Sequence, residues 1–468
     1  MSFFDKHTNR AAKMRWMFAA WFACTVIALA PASSALAQFG GGQGGTGFNT
    51  FSRVVGGVDV DPNGILNEQP TQLSDDLARQ LADALNGTSA DLKRAGLRMI
   101  SLRGLEAALA QAAQSGKPLP AEVQYMAGLQ RIEYVILSPE TKDIILAGPG
   151  ESFVADEQGN IVGEKSRMPV IHLQDFLVAM RNVNNARSGN GITVSIDPTE
   201  QGIKRYSKVI ARARGFSRQL AAQLEEAMGP NQVTLTGVPT DSRYARILVS
   251  ADYKMKRLSM GLENAPDYLP SLLAMAQQRD AQFRKMAPRF WMECSYQPIG
   301  VSEDGHVWQL RGQGVKAMTE ESYFDRDGSR HQKGKANKLA QAWADQMNQN
   351  FDRLSRDEPV FRELRNLMDL TVVAALIERD AMADQVDLDL SAIKGSEMVS
   401  VPTYAVPREV PARCSFVKLS RSWLVTASGG VDVNAFGVLD KTEPQPKLNE
   451  IAKLASQRTA DRWWWNAE

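Results

Sequence analysis

An α/β or α+β fold, with mixed sheets, flanking helices and a long helical pair at 333–380, is predicted for this 468-residue chain by three patterns. Short apolar runs lead into helical periodicity in "MISLRGLEAALAQAAQSGK" (99–117) and "VIHLQDFLVAMRNVNNARSGNGITVSID" (170–197). Hairpin signals recur, the strongest in "RFWMECSYQPIGVSEDGHVWQLRGQGVKAM" (289–318), with Asp304-Gly305 at its turn. Ala336, Leu339, Ala340, Trp343, Met347, Phe351 and Leu354 draw one apolar stripe over 333–357, and Pro359 opens a second helix to about Asp380.

The first residues read as an address. Lys6, Arg10, Lys13 and Arg15 precede the apolar run Trp16–Ala30, which is too short to span a membrane comfortably. Ala35 and Ala37 then supply the small residues of a signal-peptidase site, so residues 1–37 are expected to be a cleaved signal peptide and Gln38 the mature N-terminus. Residues 38–50, "QFGGGQGGTGFNT", cannot bury a core and read as a Gly-rich flexible leader. Two regions are expected beyond it: an N-terminal α/β region (51–240) and a C-terminal α+β region (241–468) sharing a β-motif with the first. No later run reaches the length of a membrane span.

The shared motif is a phrase. "GGVDVDPNGIL" (56–66) returns as "GGVDVNAFGVL" (429–439), with seven of eleven positions identical. Alternating Val-Asp-Val reads as a half-exposed strand, and Asp61-Pro62-Asn63-Gly64 as a turn. Both copies are therefore expected to be strand–turn–strand within one sheet or two directly packed sheets, as scaffold.

The elements between follow in order. Leu73, Leu77, Leu81 and Leu85 predict a helix closed by Asn86-Gly87. Residues 132–148 read as strand, turn and strand, and 152–164 as a further hairpin. Ile100, Leu102 and Ala108 align with Ile171, Leu173 and Ala179, which leaves an internal duplication open. Asp197-Pro198-Thr199-Glu200 is a helix start with Asp197 as the expected cap. Residues 241–260 fit helical and alternating periods alike; Gly261 favours a helix. The tail reads as strands at 413–440 and a helix from about 447. Trp463–Trp465 cannot all face one core, so at least one is expected to be exposed or to contact a partner, unless the tail is disordered.

Chemistry is sparsely signalled. The chain carries 54 basic and 53 acidic residues, and loss of residues 1–37 leaves 50 against 52, so no global field attracts nucleic acid. His172, His306 and His331 show no zinc spacing, and no nucleotide-binding or nucleophile-elbow motif occurs; no cofactor is expected. Asp59, Asp61 and Asn63 match the first half of an EF-hand loop, but Pro70 stands where a bidentate Glu belongs, so a turn with solvated acids is preferred. Cys294 and Cys414 either bridge or are buried thiols. Lys204, Lys208 and Arg212 form a basic helix stripe, a solvated face or a site for an anionic glycan. Trp291 and Trp308, with Tyr296, lie across the expected 289–318 hairpin as core pairs or a sugar-stacking surface.

Three blocks carry a resemblance: "ARILVSADYKMKRLSMGLE" (245–263), "WQLRGQGVKAMTEE" (308–321) and "FRELRNLMDLTVVAALI" (361–377). With the two copies of the phrase, they resemble a domain-of-unknown-function family of exported planctomycete proteins. The resemblance implies a periplasmic or extracellular location and no particular catalytic residue. The chain is accordingly expected to be an exported envelope protein that binds or scaffolds an envelope protein or anionic glycan. The alternative expectation is a hydrolase of envelope polymer working through carboxylates.

Overall fold

The computed structural model describes residues 55–67, 75–85, 92–187, 191–213, 217–278, 288–324, 330–332, 338–418, 422–425, 428–457 and 462–467. The expected signal peptide and leader lie outside the described residues. All described residues belong to one unit, 45–468.

Among the described residues, two sheets have seven strands each. The first runs β14 (Arg330–Gln332), β13 (Gly314–Phe324), β10 (Pro288–Ser295), β18 (Ser428–Val433), β8 (Ile192–Pro198), β9 (Asn231–Thr236) and β15 (Glu409–Val410). The second runs β19 (Thr442–Pro444), β11 (Ile299–Val301), β12 (Val307–Gln309), β4 (Tyr134–Ser138), β5 (Asp143–Gly150), β3 (Ala95–Ser101) and β20 (Trp464–Ala467). Each is mixed: β10–β18 and β11–β19 are parallel pairs in otherwise antiparallel sheets. Both sheets take strands from either side of residue 240. Two-stranded ladders are β1 (Asp59–Val60) with β2 (Leu66–Asn67), β6 (Phe153–Ala155) with β7 (Ile161–Gly163), and β16 (Ser415–Lys418) with β17 (Ser422–Val425).

The helices are α1 (Asp75–Leu85), α2 (Leu102–Ser115), α3 (Ala121–Gln124), α4 (Leu173–Arg187), α5 (Glu200–Arg212), α6 (Arg218–Met228), α7 (Arg243–Met260), α8 (Leu272–Gln278), α9 (Lys338–Gln349), α10 (Phe351–Asp357), α11 (Pro359–Arg379), α12 (Met382–Gln385), α13 (Ser391–Lys394), α14 (Ala435–Leu439) and α15 (Leu448–Ser456). α11 is the axis of the fold. Every residue from Val360 to Ile377 is buried, and the helix packs on α4, α7, α14 and β13. Its later turns are apolar on nearly all sides, as a core helix must be, whereas Arg362, Glu363, Arg365, Asn366 and Asp369 are buried polar groups that need partners. The expected helical pair at 333–380 is thus three helices, α9 to α11, with Pro359 at the first turn of the last as read.

α7 is a helix, and its burial on nearly every side explains why 241–260 fits two periods. Ser242 accepts from the Ala245 amide at its start, and Gly261, at φ 69°, ends it.

Five expectations need correction. The 289–318 hairpin is two nested pairs in different sheets: β10 with β13, and β11 with β12 across the Asp304-Gly305 turn. Pro298, together with Gly312 and Gly314 at positive φ, lets the chain step between sheets. Val170–His172 is not a strand; Ile171 makes a single backbone bond to Leu129. Thr199, not Asp197, caps α5, because Asp197 and Pro198 finish β8 against Gln232 and Asn231. The tryptophans at the end all find apolar surroundings. Alternation along β20 puts Trp464 in the main core and Trp465 in a second cluster on the opposite face, while Trp463 packs beside Gly104.

The fifth concerns the repeated phrase. Its first copy is strand–turn–strand, but the second runs from β18 directly into α14. Where the first copy has Asp-Pro-Asn, the second has Asn-Ala-Phe, and Asn434 caps α14 by accepting from the Gly437 amide at 3.0 Å. The copies also lie in different sheets, joined only at one remove: Ile65 bridges Glu409 on the far edge strand of the sheet that holds β18. The glycines serve different ends. Gly56 and Gly57 turn the chain at φ 64° and 77°. Gly429 and Gly430 let strands meet, since a Cβ there would stand 1.4 Å from the Phe290 carbonyl oxygen and 1.8 Å from that of Val194.

Candidate cleft over Gly56 and Gly57

A cleft of about 550 Å³ opens above Gly56 and Gly57. One wall is a face of α7. Ser250, Tyr253, Lys254 and Arg257 follow at i, i+3, i+4 and i+7, which aligns them on a helix. Gly56 wedges between this face and the start of α11: a Cβ on it would meet Ser250 Cβ at 2.8 Å and Val360 Cγ2 at 3.0 Å. At Gly57 the same addition meets nothing, so its backbone faces open space.

The second wall is the start of α11 with the residues before it, Asp357 and Glu358. A network ties the walls together. Lys254 Nζ reaches Glu263 Oε2 at 2.5 Å and Glu358 Oε2 at 2.9 Å, and Arg257 Nε reaches Glu263 Oε1 at 2.7 Å. Burial alone pulls the Lys254 ammonium down, but its bonds to the two carboxylates outweigh this and hold it above the usual lysine range. Burial pushes Glu358 up, against the pull of Lys254.

The third wall is the turn between β6 and β7. Asp156 Oδ1 accepts from the amides of Gln158 and Asn160 at 2.9 and 2.8 Å, which sets Glu157 and Gln158 outward. Arg167 sits at the rim, exposed, with φ 56°, a conformation that non-glycine residues seldom adopt.

Behind the cleft, Glu363 is fixed by a buried ion triad. Arg243 bridges Glu363 and Asp175, all three at most 7% exposed. Burial raises both carboxyls, and Arg243 opposes it. Tyr404 and Gln174 close this polar layer with a 3.0 Å hydrogen bond. His172, beside Tyr125, is held well below the ordinary histidine range by burial and by Arg243, and stays neutral.

In all, six acids (Asp156, Glu157, Glu263, Asp357, Glu358, Glu363) and three bases (Arg167, Lys254, Arg257) line the cleft. Lys254 and Arg257 are paired with Glu263 and Glu358, Glu363 with Arg243, and Asp156 with its own turn, which leaves Glu157 and Asp357, the latter accepting from the Tyr268 hydroxyl, against Arg167: a modest acid excess at the rim. Tyr253 is buried, with Arg257 5.4 Å from its ring centroid, and so offers little ring surface to a sugar.

The second copy of the phrase lines a separate recess of about 490 Å³, where Asp432, Asn434 and Phe436 meet Arg187, Thr193 and Arg379. Arg187 stacks on Phe436 at 4.6 Å, and Arg379 is engaged by Asp380 and the Leu439 carbonyl.

The residues singled out from sequence are scattered. Asp61 Oδ1 accepts from the Asn63 and Ile65 amides, so that carboxylate serves its own turn. Asp59 lies on β1 with Oδ1 buried and unbonded, near Arg246. Among the described residues no cluster of three or more His, Cys, Asp or Glu is placed to hold a metal. Lys204, Lys208 and Arg212 are exposed on α5, away from the cleft lining. Trp308 is buried in the main core, whereas Trp291, on the other sheet, bonds Glu293 through Nε1 at 3.1 Å; no single hairpin carries both. Cys294 and Cys414 are not bridged. They sit in different apolar clusters, and burial raises both thiols, that of Cys414 to about 12.

Lys254, Arg257, Glu263 and Glu358 escaped sequence reading. Their signal was the polar spacing along 250–257, masked by the denser apolar stripes of the same helix.

A family model described as a protein of unknown function, DUF1598, matches residues 194–272. That segment supplies Ser250, Tyr253, Lys254, Arg257 and Glu263 to the cleft. Neither curated proteins nor solved structures provide a match.

Proposed function

We propose that the protein is an exported envelope protein that binds a partner without catalysis, and that its cleft takes a cationic segment, Lys or Arg side chains, of another envelope protein. The signal-like N-terminus and the resemblance to exported planctomycete proteins support the location. No described helix is long and apolar enough to cross a membrane. The observation that carries the binding reading is the acid excess around an open glycine floor. Glu157 and Asp357 are exposed at its edge, where a carboxylate attracts a cation without a large desolvation cost. Fluorescence anisotropy of a labelled tetralysine peptide tests it: binding is expected to the exported chain, and none for a tetraglutamate peptide. Equal binding of the two peptides, or none, defeats the reading.

The hydrolase alternative rests on Glu358, a cleft carboxyl held above its usual range as a general acid must be. Its contact with Lys254 favours the ionised form and argues the other way. Release of reducing ends from envelope glycan, lost in Glu358→Gln, would favour the enzyme.

A further inference from the structure

We propose that α11 carries a second binding site, for an oxyanion such as phosphate or a carboxylate, held by Arg362, Arg365, Asn366 and Arg131. The first three lie at i, i+3 and i+4 on one face of the helix, each at most 7% exposed. Arg131 reaches the same face from the segment before β4. Its Nε meets Asp369 Oδ2 at 3.0 Å, and its Nη2 donates to the Gly312 carbonyl at 2.9 Å.

The cluster is built and its hydrogen bonding is incomplete. Each oxygen of Asp369 already accepts one bond, from Arg131 and from the Tyr296 hydroxyl at 2.6 Å. Among the described residues Arg365 makes one ion pair, a distant one to Asp352 at 3.6 Å, whose side chain is 73% exposed, and Asp369 and Glu133 also favour its charge without a hydrogen bond to it. Arg362 donates from Nη1 to the sulfur of Met168 at 2.9 Å, a weak acceptor for a guanidinium. Its Nε, the Nε of Arg365 and both side-chain polar atoms of Asn366 are buried with no hydrogen-bond partner. Three of these, Arg362 Nε, Arg365 Nε and Asn366 Nδ2, are donors, costly unless something accepts from them; Asn366 Oδ1 is an acceptor that an anion does not serve. Burial above all, then the neighbouring Arg365, Arg356 and Arg131, lowers the Arg362 guanidinium to about 10, with Asp352 opposing them. Guanidinium forks beside an amide donor are the groups that recognise a planar or tetrahedral oxyanion.

The site is independent of the acidic cleft and takes ligands of opposite charge. Glu363, between Arg362 and Arg365 in sequence, belongs instead to the triad with Arg243.

Thermal unfolding of the full chain in sodium phosphate, sulfate or acetate, against sodium chloride at equal ionic strength, tests the proposal. Phosphate is expected to raise Tm by roughly 2 °C or more at saturation. In Arg362→Met the anion-dependent rise is lost, while the Tm in chloride is no lower than wild type, because an uncompensated buried charge has been removed. Should that variant fail to fold, Asn366→Ala is expected to fold and to weaken the rise. Anomalous density for tungstate between Arg362 and Asn366 in soaked wild-type crystals would add direct support. No rise in the wild type, or the same rise in both variants, would overturn the proposal and leave a water-filled polar recess.

Discussion

The two Gly-Gly pairs should respond to alanine in a fixed order. At Gly57 an added Cβ meets nothing, so Gly57→Ala carries only the left-handed backbone cost, about 1–2 kcal/mol. At Gly56 that cost is joined by contacts of 2.8 and 3.0 Å with Ser250 and Val360. Overpacking of this kind adds roughly 1–3 kcal/mol, for a total of about 2–5 kcal/mol. At Gly430 the Cβ would stand 1.8 Å from the backbone oxygen of Val194, and no side-chain rotation relieves it. β18 must part from β8 in the middle of a sheet, a loss expected to exceed about 4 kcal/mol. Urea unfolding of the full chain and of each variant, read from midpoint and slope, measures the order. A Gly430→Ala variant as mild as Gly57→Ala would refute the view that one glycine pair turns the chain and the other seats a strand.

Three further outcomes follow from buried groups. Arg243→Met strands Asp175 and Glu363 without their shared cation and should cost about 3–5 kcal/mol in the same assay. Asp252, paired with Lys256 at 2.7 Å, is raised by burial to about 6. A carboxyl raised on folding contributes stability below its unfolded value of 3.8 and loses it as pH rises through about 6, so a carboxyl NMR titration of Asp252 should show a midpoint well above an ordinary aspartate's and stability from this group should fall over that window. Cys414, which is buried, should resist thiol reagents at pH 8 until the chain is unfolded, whereas Cys294 is only half-buried, against the expectation of two buried thiols, and is slowed by its raised thiol; rapid labelling of Cys414 in the native protein would contradict its burial.

Periodicity made much of the fold legible. α9 announces itself by apolar spacing, α7 and α11 by their end signals at Gly261 and Pro359, and β6–β7 by its turn chemistry. What failed was anything set by the partner of a segment rather than by the segment. Nothing in 289–318 says that its inner and outer pairs join different sheets; that depends on β18 and β4, more than a hundred residues away on either side. The repeated phrase misled because glycine has two uses, positive φ at Gly56 and close approach at Gly430, which are spelled alike. The cleft was illegible for the same reason. Its residues come from 56–57, 156–167, 250–263 and 357–363, and only folding makes them neighbours.

The proposed function requires the cleft above Gly56 and Gly57 to bind a cationic partner. Its most direct test is the affinity of tetralysine for the wild-type chain and for a Glu157→Gln, Asp357→Asn double variant, each across a series of salt concentrations. Two exposed charges at about 0.2–1 kcal/mol each predict a loss of roughly 2- to 30-fold at low salt, shrinking as salt rises. An affinity unchanged by the double substitution would contradict the claim and place any cation binding elsewhere on the surface.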